Sequence, residues 1–330
     1  MQLFPETNFD FMGKRKIAFL ISLLVIIPGL ISMLVRGGLN LGVEFAGGVQ
    51  IELGVPASSQ VDIGGVRQAV ADAGFDNRNI QRAGGSGGNT GAVYLIHLLS
   101  ESEGGTVTGE EAAGRESIAQ RILQKLRERY PGETIEQRRV ESIGPKIGSE
   151  LKGAAIKATL LSILLVMAYV AWRFEFRFGV ATIAAALHDV LFVLGLFSIL
   201  NKEMTLSVLA AFLTLVGYSV NDTIVVFDRI REELKLKQKR EPYETIFNGG
   251  INKTLSRTLL TGVTTLLVLL SIYFYGGDVL RDFAWVLLVG IVVGTYSSIF
   301  VAAPLVVEMH KRAEAREAAR AAGTTARAAS

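Results

Sequence analysis

The stretch TLSVLAAFLTLVGYSVNDTIVVF, residues 205–227, decides how this chain is read. As a helix it is long and apolar enough to cross a hydrocarbon core about 30 Å thick, which takes roughly 20 residues. Yet Asn221-Asp222 lies within it. A charged group at the centre of a spanning helix costs about 2.5–3.5 kcal/mol on insertion scales, so a carboxylate there needs a reason. At three- and four-residue spacing, Asp222 stacks with Ser219 and Tyr218, which makes one face of this helix polar.

Five more apolar runs surround this one: Ile17–Val35, and about 154–172, 180–200, 258–275 and 284–307. Half of the residues are hydrophobic and the mean hydropathy is +0.38, far from a soluble domain. Each run is near spanning length, and single-chain spans must satisfy their backbone within a helix. Lys14-Arg15-Lys16 before Ile17 gives the start the look of a signal peptide. The 19-residue run exceeds a signal core of roughly 7–15 residues, and no small-x-small site follows it. It is read as a retained anchor, with a bend near Pro28-Gly29.

Six spans place both termini on one side, and basic residues choose the side. Eighteen lysines and arginines fall on the side of the termini, against Lys202 and Arg281 in the two short loops opposite. The termini are therefore expected in the cytoplasm. Arg36, Lys146, Lys152 and Lys157 flank the long outer loop and count little, because long loops translocate regardless of charge. The expected division is a cytoplasmic segment 1–16, a first span 17–35, an outer domain 37–150, a five-span bundle 154–307 and a disordered cytoplasmic tail 308–330.

The outer domain reads as α+β. Gly48–Val55 alternates like a strand, and Val61–Ala73 has helical spacing. Asn79–Ala83 and Ala92–Leu99 form a predicted hairpin around GGSGGNTG (84–91). A long amphipathic helix, Glu110–Tyr130, precedes a last strand, Glu133–Ser142. The order βαββαβ is the ferredoxin-like split pattern.

Several chemistries are disfavoured. There is no cysteine, and His97, His188 and His310 are the only histidines, so thiolate chemistry is absent and a multi-histidine metal site is not expected. The net charge of +3 argues against nucleic acid as a bulk partner. GVEFAGG (42–48) and GGSGGNTG lack the Lys-Ser/Thr and the strand-to-helix setting of a phosphate cradle, and read as a tight turn and a hairpin loop. No nucleotide motif or cofactor site is visible. Energy for any work must come from a partner or an ion gradient.

The informative groups are ionisable ones inside spans. His188-Asp189 lies near the middle of the third span. The fifth begins with Arg257, and Thr261, Thr264 and Thr265 continue its face. Three polar faces can meet in the bundle, where Asp222 opposite Arg257 suits a proton site. The alternatives are a static buried pair for these two, and for His188 a hydrogen bond to a neighbouring helix. Asp228 reads as a solvated helix end, and Gly290 and Gly294 with Ser298 and Ala302 as helix packing. In the inner loop 228–257, Asp228–Arg240 continues the fourth span as a charged helix with a Glu233–Lys237 pair. From Pro242, Ile246, Phe247, Ile251 and Leu255 suggest a short helix lying on the membrane surface.

VGYSVNDTIVVFDRIREE (216–233) resembles the hallmark stretch of the SecF family, within the SecD/SecF family of the RND superfamily. FDFMGKRK (9–16), LGVEFAGGVQIEL (41–53), SIGPKIGSELKGAA (142–155) and NKTLSRTLLTG (252–262) resemble its other boxes, and the likeness runs from about 9 to 308. The resemblance implies half of an RND-type bundle paired with SecD. It also implies association with the SecYEG channel, often with YajC and YidC, and movement of emerging preprotein by the proton motive force. It places the proton-path aspartate at Asp222 and the essential arginine at Arg257. Asp189, with His188, is a further candidate, and Asn221, Ser219 and Thr261 are supporting polar residues. An RND-type exporter of small molecules or lipids would carry two large outer domains and a doubled set of spans in one chain. A scaffold subunit that moves no ion would not need the buried Asp222 and Arg257. No nucleophile–base set points to an enzyme. The coupling ion, proton or sodium, is left open by the residues.

Overall fold

Alternating and helical periodicities divide the chain into an α+β unit set between one membrane helix and five others. The architecture comes from a computed structural model, which describes residues 7–56, 58–75, 80–84, 90–99, 111–237 and 241–328. Residues 85–89 of the predicted hairpin loop, the starts of the predicted elements at Asn79 and Glu110, and Lys239 and Arg240 lie outside them.

Helix α1, Arg15–Val35, leads to a single turn, α2, Val43–Ala46. The outer domain then runs β1 (Gly48–Pro56), α3 (Ile63–Asp72), β2 (Ile80–Gly84), β3 (Thr90–Leu99), α4 (Glu111–Arg129) and β4 (Glu136–Ile143). The sheet order is β2-β3-β1-β4 with every pairing antiparallel, as the split pattern requires. Ile51, Leu53 and Val55 alternate onto one face and meet Val66, Ala69 and Val70 of α3 and Ala119, Ile122 and Leu126 of α4. Asp62 caps α3 by accepting from Gly65 N at 2.9 Å. A side chain at Gly65 would collide with the Tyr130 hydroxyl, which itself donates to Asp62 at 3.0 Å.

The membrane helices are α1, α5 (Pro145–Arg173), α6 (Phe176–Ile199), α7 (Leu206–Lys237), α8 (Tyr243–Tyr275) and a sixth that changes gauge along its length. That sixth span begins in α9, Gly277–Ser297, passes through a π-helical turn, Ser298–Ala302, and continues as α10, Ala303–Ala328. All six are long and apolar enough to cross a membrane. Their core is two apolar clusters with a polar layer between. One, toward the termini, gathers Phe174, Phe178, Phe227, Phe247 and Val306. The other, toward the outer domain, gathers Phe197, Phe212, Leu215, Leu269 and Ile291.

The outer domain is tied to the bundle at the α6–α7 turn. Gly42 N donates to Met204 O at 2.9 Å and Met204 N to Asn40 O at 2.7 Å. Phe45 of α2 packs into the outer apolar cluster. His97 projects to the sheet face away from α3 and α4, and its Nδ1 lies 2.9 Å from Glu203 Oε1.

Three expectations are corrected. The residues after Pro242 do not form a separate surface helix. They are the first turns of α8, and Ile246, Phe247 and Ile251 are buried against α7 and α10, so their apolar face is covered by protein rather than lipid. The N-terminal segment adds to this layer: Phe11 N and Met12 N both donate to Asn248 Oδ1, at 3.0 and 3.1 Å. The tail 308–330, expected to be disordered, is helical to Ala328, as its many alanines, arginines and glutamates favour. Asp228 is not a free helix end: it lies within α7, and Arg173 holds it at 2.8 Å. Glu233 lies 3.8 Å from Lys237 as the spacing suggested, but its closer partner is Lys253 at 2.5 Å.

Candidate functional site

The polar layer is built by α6, α7 and the sixth span. Asp189, fully buried, accepts through Oδ2 from Ser219 Oγ of α7 at 2.5 Å and from Ser297 Oγ of α9 at 2.8 Å. Its Oδ1 lies 2.9 Å from His188 Nδ1. His188 Nε2 lies 2.8 Å from Ser22 Oγ of α1, and Ser22 lies 3.3 Å from the Tyr296 hydroxyl. The Tyr296 hydroxyl donates to Ala18 O at 2.5 Å. The ring thus connects a carboxylate to a hydroxyl. With Nδ1–H donating to Asp189, Nε2 accepts from Ser22 when neutral and donates to it when protonated, and a serine serves either state.

Asp222 is 9% exposed and accepts from Ser298 Oγ at 2.9 Å. Thr258 of α8 faces the same carboxylate, but its hydroxyl completes no hydrogen bond. Among the described residues no lysine, arginine or histidine is paired with Asp222. Serine hydroxyls donate to a carboxylate and accept from a carboxylic acid, so both aspartates have partners suited to either protonation state. Among the described residues no group of three or more His, Asp or Glu is placed to hold a metal ion.

Ser297 and Ser298 serve different aspartates because successive helical residues point about 100° apart. The π-helical turn begins at Ser298, and such wide turns recur at functional sites. Gly290 makes the approach of α9 to α7 possible, since a Cβ there would stand 2.5 Å from Leu215 Cδ1.

Not every candidate residue joins this layer. Arg257 is exposed on α8, and no described residue pairs with its guanidinium, so the anticipated Asp222–Arg257 pair is not formed. Thr254 and Thr258, one turn apart, hold the bundle-facing positions of α8, and Arg257 is rotated off that face. Asn221 is exposed on α7. Thr261 is exposed too, and its hydroxyl donates back to Arg257 O at 3.0 Å. Ser219 serves Asp189 rather than Asp222. The hydroxyls that complete hydrogen bonds to the aspartates from a third element come from the sixth span, at Ser297 and Ser298, and not from α8. Ser22, Tyr296, Ser297 and Ser298 were missed as site residues because a single hydroxyl in an apolar helix carries little signal by itself.

Comparison with known proteins gives the family. Residues 122–312 match the model described as protein export membrane protein SecD/SecF, C-terminal, and residues 31–55 match the SecD/SecF GG motif. The chain is 43% identical over 326 residues to the protein translocase subunit SecF of Magnetococcus marinus, covering 98% of this chain and 100% of that one. The chain belongs to the SecF family of protein translocase subunits. It is therefore a multi-pass membrane component of protein transport and not an enzyme. SecF of Rhodothermus marinus is 38% identical over 322 residues, covering 96% of this chain and 98% of that one. The crystal structure of SecDF, a translocon-associated membrane protein from Thermus thermophilus, superposes with a TM-score of 0.76 at 37% identity. That match covers 93% of this chain and 39% of the SecDF chain, so this chain spans about two-fifths of it. The GG motif of the family includes Asn40 and Gly42, which hydrogen-bond Met204 in the α6–α7 turn, and Phe45 of α2, which packs into the outer apolar cluster.

Proposed function

We propose that this chain is the SecF half of a SecDF assembly that uses the proton motive force in Sec-dependent protein export. Asp222 and the His188–Asp189 pair are its stations for protons. The observation that carries the reading is the pair of buried aspartates on adjacent helices, held by the neighbouring serines 297 and 298. Burying two carboxylates in a membrane bundle is costly and marks an ion pathway more often than packing. In this reading the bundle lies in the inner membrane of a bacterial cell with its termini in the cytoplasm, an orientation that the distribution of basic residues supports.

The exposed positions Asn221 of α7 and Arg257 and Thr261 of α8 fit contact with a second bundle, that of SecD. An arginine facing lipid is expensive, and a partner bundle would shelter it. SecYEG, with YajC and YidC, and the emerging preprotein are the further partners of this reading. One proton crossing 100 mV yields about 2.3 kcal/mol, so a few per cycle suffice to tilt a domain between two poses. The docking of α2 and His97 onto the α6–α7 turn offers the mechanical path from bundle to domain.

The test is proton conductance and preprotein export in vesicles containing this chain with SecD, comparing wild type with Asp222→Asn. Loss of both with normal assembly supports the reading. Retention of both assigns Asp222 to packing and the chain to a scaffold role.

A further inference from the structure

Away from the polar layer, α6, α7, α8 and α10 enclose a cleft of about 560 Å³ on the side of the termini. Glu175, Arg177, Arg231, Lys235, Tyr243 and His310 line it. Three of these are permanent cations, against one carboxylate. Arg177 Nη1 stands 3.0 Å from His310 Nδ1. A guanidinium only donates, so Nδ1 accepts and the imidazole is neutral, leaving the charge of Arg177 uncancelled. The other ring nitrogen faces Glu314 Oε1 at 3.1 Å, and the ring is stacked on Tyr243 with centroids 3.9 Å apart, so this geometry is held firmly. Arg231 has only loose pairs, 3.8 Å to Glu175 and 3.9 Å to Asp228. Asp228 is taken more closely by Arg173, at 2.8 Å. Lys235 is exposed, and no described residue forms an ion pair with it.

The depth of the cleft follows from its rim. Trp172 and Phe176 at the α5–α6 turn are 83% and 80% exposed. Aromatic rings left bare at the end of a span belong at the headgroup boundary. Two to three turns before Trp172, the same helix α5 exposes Leu161, Leu164 and Leu165, an apolar surface at the depth of acyl chains. Positive charge at headgroup depth, in a bundle whose lipid-depth helix α5 is apolar on its exposed side, complements a phosphate that carries acyl chains. A headgroup with its own ammonium would be repelled by Arg177 and Lys235. Basic pockets between membrane helices bind anionic headgroups on this physical ground.

The geometry points to a site for the phosphate of an anionic phospholipid, such as phosphatidylglycerol, in the leaflet that faces the chain termini. The probe is spin-labelled phosphatidylglycerol against spin-labelled phosphatidylcholine, with the full chain in phosphatidylcholine bilayers. The wild type prefers the anionic lipid. Lys235→Gln, a surface change that leaves the fold alone, lowers that preference roughly fivefold, the equivalent of about 1 kcal/mol per basic residue. Arg177→Gln/Lys235→Gln lowers it further, whereas Lys14→Gln/Lys16→Gln, elsewhere on the same side, leaves most of it. Unchanged preference in both cleft variants overturns the proposal. So does displacement of the lipid by millimolar inorganic phosphate, which would make this a free-phosphate site. Loss of the preference on assembly with the SecD chain also overturns it and makes the cleft a protein contact.

Discussion

Ser297 and Ser298 are neighbours in the chain, yet the first hydrogen-bonds Asp189 on α6 and the second Asp222 on α7. One turn of the sixth span thereby couples the two buried carboxylates. A shift or rotation of that turn would disturb both bonds together, and the π-helical turn starting at Ser298 is the place where the backbone ladder is already altered.

Removing the donors to Asp189 tests this coupling. Ser219→Ala/Ser297→Ala strips Oδ2 of both hydroxyls and leaves a buried acceptor unpaired. The expected cost is about 1–3 kcal/mol per unsatisfied group, read as a lower unfolding midpoint of the purified chain. Proton-driven export should fall with it, whereas Ser271→Ala, whose hydroxyl bonds only its own helix, should change neither.

Arg257 should behave as a group that acts outside this chain. Because it does not touch Asp222, a double-mutant cycle with Asp222→Asn and Arg257→Gln in the chain alone should be additive within about 0.5 kcal/mol. Arg257→Gln should leave the unfolding midpoint of the chain alone nearly unchanged and abolish export once SecD is present. A coupling well above 0.5 kcal/mol in the chain alone would restore the direct pair.

Gly29 and Gly195 set the distance between α1 and α6. A Cβ on Gly29 would lie 2.3 Å from Gly195 Cα, which is backbone and cannot step aside. Gly29→Val should cost about 1–3 kcal/mol through overpacking and should separate Ser22 from His188, two turns away. The check is a crosslink between cysteines placed on α1 and α6, which should form in the wild-type background and weaken in the variant.

The junction of the outer domain responds to pH through Glu44. Burial, then the nearby Glu203 and Glu141, push its carboxyl above the ordinary value of 4.5. A raised value means the folded state holds the proton more tightly than the unfolded one. Its contribution to docking is therefore complete below about pH 4.5 and is lost as pH rises through the higher folded value. Hydrogen exchange at the amides of Ala46 and Gly47, corrected for intrinsic rates, should slow on acidification. Glu44→Gln should remove that dependence and protect these amides at neutral pH.

The sequence went far toward the fold because its signals are local. Apolar runs of spanning length gave six helices, and the alternation of Ile51, Leu53 and Val55 with the spacing of Ile122 and Leu126 gave the split βαββαβ domain. It went wrong after Pro242, where the apolar residues Ile246, Phe247 and Ile251 mark a buried face without saying whether lipid or protein covers it. In the site, Asp189 and Asp222 stood out because a carboxylate in a membrane span is costly wherever it points. The serines that hold them did not, since one hydroxyl can bond its own helix at almost no cost, as Thr261 and Ser271 do.

What the sequence by itself determined is the set of spans, the composition of the outer domain and the presence of two buried carboxylates. What only the tertiary structure decided is who stands opposite whom. Arg257 and Thr258 differ by one residue and about 100° of rotation, and that rotation leaves the arginine outside the bundle and turns the threonine toward Asp222. Hydropathy and periodicity are properties of one helix at a time. The partner across the interface is fixed by how neighbouring helices pack, through contacts such as Gly29 on Gly195 and Gly290 on Leu215, which no single stretch of sequence contains.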